Sequence, residues 1–108
     1  MELKSKRCAP CEGGVPALTP EQVSGLLAQV DGWEARDGKI HKALRFGDFA
    51  EAMAFLNRVA ACAEAEGHHP DFCLHYNNVD VMIWTHAIGG LSENDFILAA
   101  KIDDLAGA

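Results

Sequence analysis

Residues 68–95 read HHPDFCLHYNNVDVMIWTHAIGGLSEND, and the fold follows from how this stretch divides. Residues 72–77 and 79–87 are runs of strand-forming side chains hinged at Asn77-Asn78, which tolerate the positive φ of a tight turn, so they predict a hairpin. In its second strand Val79, Val81, Ile83 and Thr85 share one parity and Asp80, Met82, Trp84 and His86 the other. Met82 and Trp84 then predict an apolar patch on the face away from the helices, suited to a pocket or a subunit contact. Ser92-Glu93-Asn94-Asp95 opens a helix that carries Phe96, Ala99, Ala100, Ile102 and Leu105 at helical spacing.

Upstream, Asp48 caps a long helix with Phe49, Ala52, Met53, Leu56, Val59, Ala60 and Ala63 on one stripe and Gly67 past its end. Before it, residues 33–36 and 39–46 flank Asp37-Gly38, a strong hairpin signal, and a bulge near Ala43 would reconcile their uneven alternation. Thr19-Pro20-Glu21-Gln22 begins a first helix of about three turns that ends before Gly32. The order is α-β-β-α-β-β-α: an α+β protein with a four-stranded antiparallel sheet and three helices packed on one face. Residues 1–18 show neither periodicity and read as a flexible N-terminal arm whose order would have to come from docking; residues 19–108 form a single domain.

Composition narrows the function. The 108 residues hold 9 Lys+Arg against 16 Asp+Glu, a net charge of −7, which repels phosphate backbones; Lys4, Lys6 and Arg7 are the one basic cluster, so direct nucleic-acid binding is not expected. No apolar run reaches membrane-spanning length and residues 1–8 lack a signal peptide's core, so a soluble, cytoplasmic protein is expected. Cys8, Cys11, Cys62 and Cys73 do not make a disulfide framework. Cys8-x-x-Cys11 is half a zinc motif with no second half; it reads as two free thiols, with redox pairing and zinc as alternatives.

The chemistry points to histidine. His68, His69, His75 and His86 cluster, with His41 apart in the first hairpin, and an imidazole of ordinary pKa about 6.5 both gives and takes protons near neutrality. Pro70 stiffens the junction that carries His68 and His69. Antiparallel pairing should bring His86 beside that junction, with Asp71 or Phe72 near residues 85–87. From the residues alone an acid–base site, a metal site and solvated surface imidazoles all stay open. No serine lies in a nucleophile elbow, and Gly89-Gly90 forms no phosphate loop.

His68-His69-Pro70-Asp71, Tyr76-Asn77, Val79, Thr85-His86 and Gly90-Leu91-Ser92-Glu93-Asn94-Asp95 together resemble the pterin-4a-carbinolamine dehydratase family. The resemblance covers about residues 19–105. It implies dehydration of 4a-hydroxytetrahydropterin to quinonoid dihydropterin, with His68 and His86 exchanging protons, His69 binding the pterin, and Glu64 and Asp95 lining or orienting the site. Phe72 stands where many members have Trp, and Trp84 borders the expected pocket. The resemblance implies no metal or cofactor, a homodimer or homotetramer, and an aromatic amino acid hydroxylase as pathway partner. The alternative is a non-catalytic binding, transcriptional or assembly role on the same fold, against which the presence of all three imidazoles counts.

Overall fold

In the computed structural model, residues 2–9 and 16–106 are described. Helix α1, Pro20–Leu27, starts on the expected capping box: the Gln22 amide donates to Thr19 Oγ1 and the Thr19 amide to Gln22 Oε1. At 8 residues it is shorter than its apolar spacing predicts. The Gln29 and Val30 amides turn back to Leu26 and Leu27, tightening the chain, and Asp103 captures the Asp31 amide at 3.0 Å.

Strands β1, Glu34–Arg36, and β2, Lys39–Arg45, meet at Asp37 and Gly38, whose φ values of 53° and 74° are those a two-residue hairpin turn needs. Strands β3, Asp71–His75, and β4, Asn78–Ile83, complete an antiparallel sheet of order β1-β2-β4-β3. There is no bulge at Ala43, because pairing runs unbroken from Ile40 opposite Ile83 to Arg45 opposite Asn78. The alternation looked uneven because Lys42 takes an inward position, where its amine donates to Asp103 at 2.7 Å, while small Ala43 faces out.

The second hairpin turns one residue earlier than expected, at Tyr76-Asn77, with Tyr76 at φ 55°. Asn77 is drawn into the turn by Phe46: its side-chain amide donates to the Phe46 carbonyl at 2.8 Å, and the Phe46 amide to its carbonyl at 2.9 Å. Strand β4 also stops at Ile83 rather than Ala87. Beyond it Thr85 bridges Gly90, and His86–Ile88 form a single 3-10 turn closed by Gly89 at φ 64°. His86 therefore has no strand parity.

Helices α2, Phe49–Glu66, and α3, Glu93–Leu105, cover one face of the sheet. Asp48 caps α2 by accepting from the Glu51 amide at 2.8 Å, and Gly67 ends it in the left-handed region. Ile40, Val79, Val81 and Ile83 are buried against Phe55, Val59, Phe96, Leu98 and Ile102, one continuous core. The opposite face is not the apolar patch predicted for it. Met82 and Trp84 are half-buried, Trp84 beneath the His86 ring and the Lys39 ammonium, and among the described residues the exposed large apolar side chains are Phe49, Met53, Phe72 and Tyr76.

Candidate functional site

The end of α2, the turn at Gly67 and stiff Pro70 bring His68 to the start of α3. There its Nε2 donates to Asp95 Oδ1 at 2.6 Å. Asp95 is fully buried, and its other oxygen accepts from the Ser92 amide at 2.8 Å and the Thr85 hydroxyl at 3.0 Å. Thr85 Oγ1 and Ser92 Oγ are themselves 2.7 Å apart. A buried carboxylate with both oxygens engaged is an orienting group, because every donor around it fixes its plane and so the direction of the His68 ring.

Two further pairs stand beside this one. His69 Nε2 donates to Glu64 Oε2 at 2.5 Å, on the surface, where an ion pair adds little stability but still aligns a ring. His86 stacks on Trp84 with ring centroids 3.9 Å apart, and the Trp84 indole donates to Asp71 at 3.3 Å. His86 thus reaches the junction through Trp84 and Asp71. The register places Asp71 opposite Met82, so Asp71 and Phe72 do not pair with residues 85–87.

Of the sequence-predicted residues, then, the structure joins His68 to Asp95, His69 to Glu64 and His86 to Trp84. Phe72 lies exposed on edge strand β3 opposite Val81, on the helix side of the sheet, and Trp84 bonds to Asp71, whose parity is that of the open side. His41 makes no part of these pairs; it lies on β2 opposite Met82, with its Nε2 buried and unpartnered.

Thr85 and Asp71 are the site residues that pattern reading did not assign a role. Thr85 had a signal: it shares the core-facing parity of Val79, Val81 and Ile83, and a buried hydroxyl there needs a partner. Thr85→Val keeps the shape and removes that donor; it should cost about 1 kcal/mol, read as a lower urea midpoint with unchanged slope.

Other features lie elsewhere. A concavity of about 860 Å³ near Asp31, Lys42 and Asp103, and one of about 480 Å³ on the open sheet face, are not lined by His68, His69 or His86. Among the described residues no three His, Cys, Asp or Glu side chains are placed to hold a metal ion. Burial, reinforced by nearby Glu66, pushes the Cys8 thiol up to about 12, so at neutral pH it is a poor thiolate ligand or nucleophile; Cys11 lies outside the described residues. No helix among the described residues is long and apolar enough to cross a membrane.

An antiparallel sheet backed by helices, with His68 and His69 each paired with a carboxylate at the junction of α2 and α3, defines a small α+β protein whose candidate site is this histidine cluster. The family model described as pterin 4 alpha carbinolamine dehydratase matches residues 16–105. The chain belongs to that family, whose named activity is that of a hydro-lyase. A Nitrosospira multiformis protein bearing the family's name is 49% identical over 104 residues, spanning 96% of this chain and 92% of its own. The mitochondrial pterin-4-alpha-carbinolamine dehydratase 2 of Arabidopsis thaliana is also 49% identical, over 96% of this chain and 59% of its own.

Among solved structures, a transcriptional coactivator/pterin dehydratase from Brucella melitensis superposes with a TM-score of 0.81 at 35% identity, covering 84% of this chain and 99% of that one. A pterin dehydratase-like protein identified as a RuBisCO assembly factor in the alpha-carboxysome is more distant, with a TM-score of 0.60 at 28% identity over 70% of this chain and 88% of its own.

Proposed function

We propose that the protein dehydrates 4a-hydroxytetrahydropterin to quinonoid dihydropterin by histidine acid–base catalysis, in the recycling of a tetrahydropterin cofactor. The reaction breaks the C4a–O bond, removes the N5 proton and forms the C4a=N5 double bond. No electrons are exchanged: the hydroxyl leaves as water with a proton from an acid, and a base takes the proton from N5. The observation that carries the reading is the 2.6 Å hydrogen bond from His68 to fully buried Asp95.

With Nε2 donating to Asp95, a neutral His68 presents Nδ1 as its free, proton-accepting nitrogen. His86, held against Trp84, is assigned the second proton, and a pterin ring between the two would be served from both sides. His69, aligned by Glu64, is assigned to binding. His69→Ala should therefore raise KM about tenfold with kcat nearly unchanged; an equal fall in kcat with constant KM would move His69 into the proton transfer. A carbinolamine loses water readily, so an acceleration of about 10²–10⁴-fold is all that positioned imidazoles need supply.

The test is a stopped-flow ultraviolet assay on carbinolamine generated by an aromatic amino acid hydroxylase. Folded wild-type protein should accelerate its decay above the spontaneous rate. Spontaneous decay in its presence would contradict the proposal and favour a binding or assembly role, the kind of role named for the alpha-carboxysome relative.

A further inference from the structure

Glu66 is an unexpected residue for its position. Ala52, Leu56, Val59 and Ala63 form the buried stripe of α2, and Glu66 continues that stripe, its side chain only 6% exposed. A carboxylate in such a place needs partners, and the N-terminal segment supplies them. The Cys8 amide donates to Glu66 Oε1 at 2.8 Å, and Arg7 lies 3.2 Å from Oε2, with Lys101 of α3 at 3.6 Å. Burial raises the Glu66 pKa, but these donors and cations more than offset it and hold the carboxyl below its ordinary value.

The same segment also grips the other helix. The Ala9 amide donates to Asn94 Oδ1 at 2.9 Å, the Asn94 side-chain amide returns to the Ala9 carbonyl at 2.6 Å, and the Cys8 thiol donates to the Asn94 carbonyl at 3.6 Å. Nearer the terminus, Leu3 is buried, the Lys4 carbonyl accepts from Lys101 and Lys6 pairs with Glu93. Glu66 stands two residues before His68, and Asn94 one before Asp95. Residues 7–9 therefore tie together the ends of the two helices that hold the halves of the hydrogen-bonded pair.

We infer that residues 7–9 act as a positioning strap for the reaction proposed above: clamped on Glu66 and Asn94, they set the distance and angle at which His68 meets Asp95. The strap residues bond to Ala65, Glu66 and Asn94 and not to the three site imidazoles. Their effect passes through the orientation of the His68 ring, where a displacement of a fraction of an ångström is felt in the rate of proton transfer.

The test uses the full chain carrying Asn94→Ala and, separately, Glu66→Gln, which keeps the side chain's volume and an acceptor for the Cys8 amide while removing its charge. Two quantities are read well below the melting temperature: the kcat and KM split, and the ring-nitrogen NMR shifts of His68 at one pH. The strap predicts a fall in kcat of about tenfold with KM nearly constant, together with movement of the His68 nitrogen shifts. A lower melting temperature with kcat and His68 shifts unchanged in both variants overturns the inference. So does a loss of kcat with the His68 signals unmoved. If Asn94→Ala does not fold, Glu66→Gln decides alone by the same readouts. Because the NMR signature needs no turnover, absence of wild-type dehydratase activity would sink the proposed function while the link between strap and His68 is still read.

Discussion

His68→Ala should lower kcat by about 10²–10³-fold while leaving the circular dichroism of the protein native. The size follows from the role. The His68 side chain is only 11% exposed, but it lies outside the hydrophobic core cluster and its Nε2 is held by Asp95, so its removal takes away a proton-transfer group at some cost in stability while the core that fixes the fold is kept. Asp95 keeps its hydrogen bonds from Ser92 and Thr85, and the space vacated by the imidazole admits water to its Oδ1. A variant that retained wild-type kcat would show that the oriented imidazole is not a proton carrier, whatever its geometry.

Asp95→Asn should be nearly as damaging to activity and should also lower stability. A carboxylate accepts at both oxygens, but an amide has one oxygen and one NH2 group. If the amide oxygen keeps its bonds from Ser92 and Thr85, its NH2 group faces His68 and forces Nε2 to accept, which moves the imidazole proton to Nδ1. The nitrogen presented to substrate then changes from acceptor to donor, and kcat should fall toward the His68→Ala level. Loss of charge-assisted hydrogen bonds at a buried site should cost about 1–3 kcal/mol, measurable by urea unfolding. Unchanged kcat in a folded Asp95→Asn protein would mean that Asp95 is a helix-capping residue only.

Much of this architecture is legible in the sequence because its signals are local. Thr19, Asp48, Gly67 and Asp37-Gly38 act through their own backbone, so caps and the first hairpin fall where the pattern puts them. Features decided by distant partners were not legible. Asn77 is placed by Phe46 and the turn after α1 is fixed by Asp103, neither of which leaves a local mark.

The candidate site divides the same way. His68, His69 and His86 stand out by residue type and spacing, and the family resemblance adds Glu64 and Asp95. Their pairing needed three dimensions: His68 meets Asp95 across 27 positions, and His86 is held by its neighbour Trp84 rather than by strand register. Thr85 and Glu66 left fainter marks, each a polar residue continuing an apolar periodicity, and each turned out to be buried with charged or hydrogen-bonded partners.

The central claim, that His68 and His86 carry the protons of a pterin dehydration, is tested most directly by the stopped-flow decay of 4a-carbinolamine with wild type against the His68→Ala, His86→Ala double variant. The account predicts acceleration by wild type and a return to the spontaneous rate in a folded double variant. Equal acceleration by both proteins would contradict it.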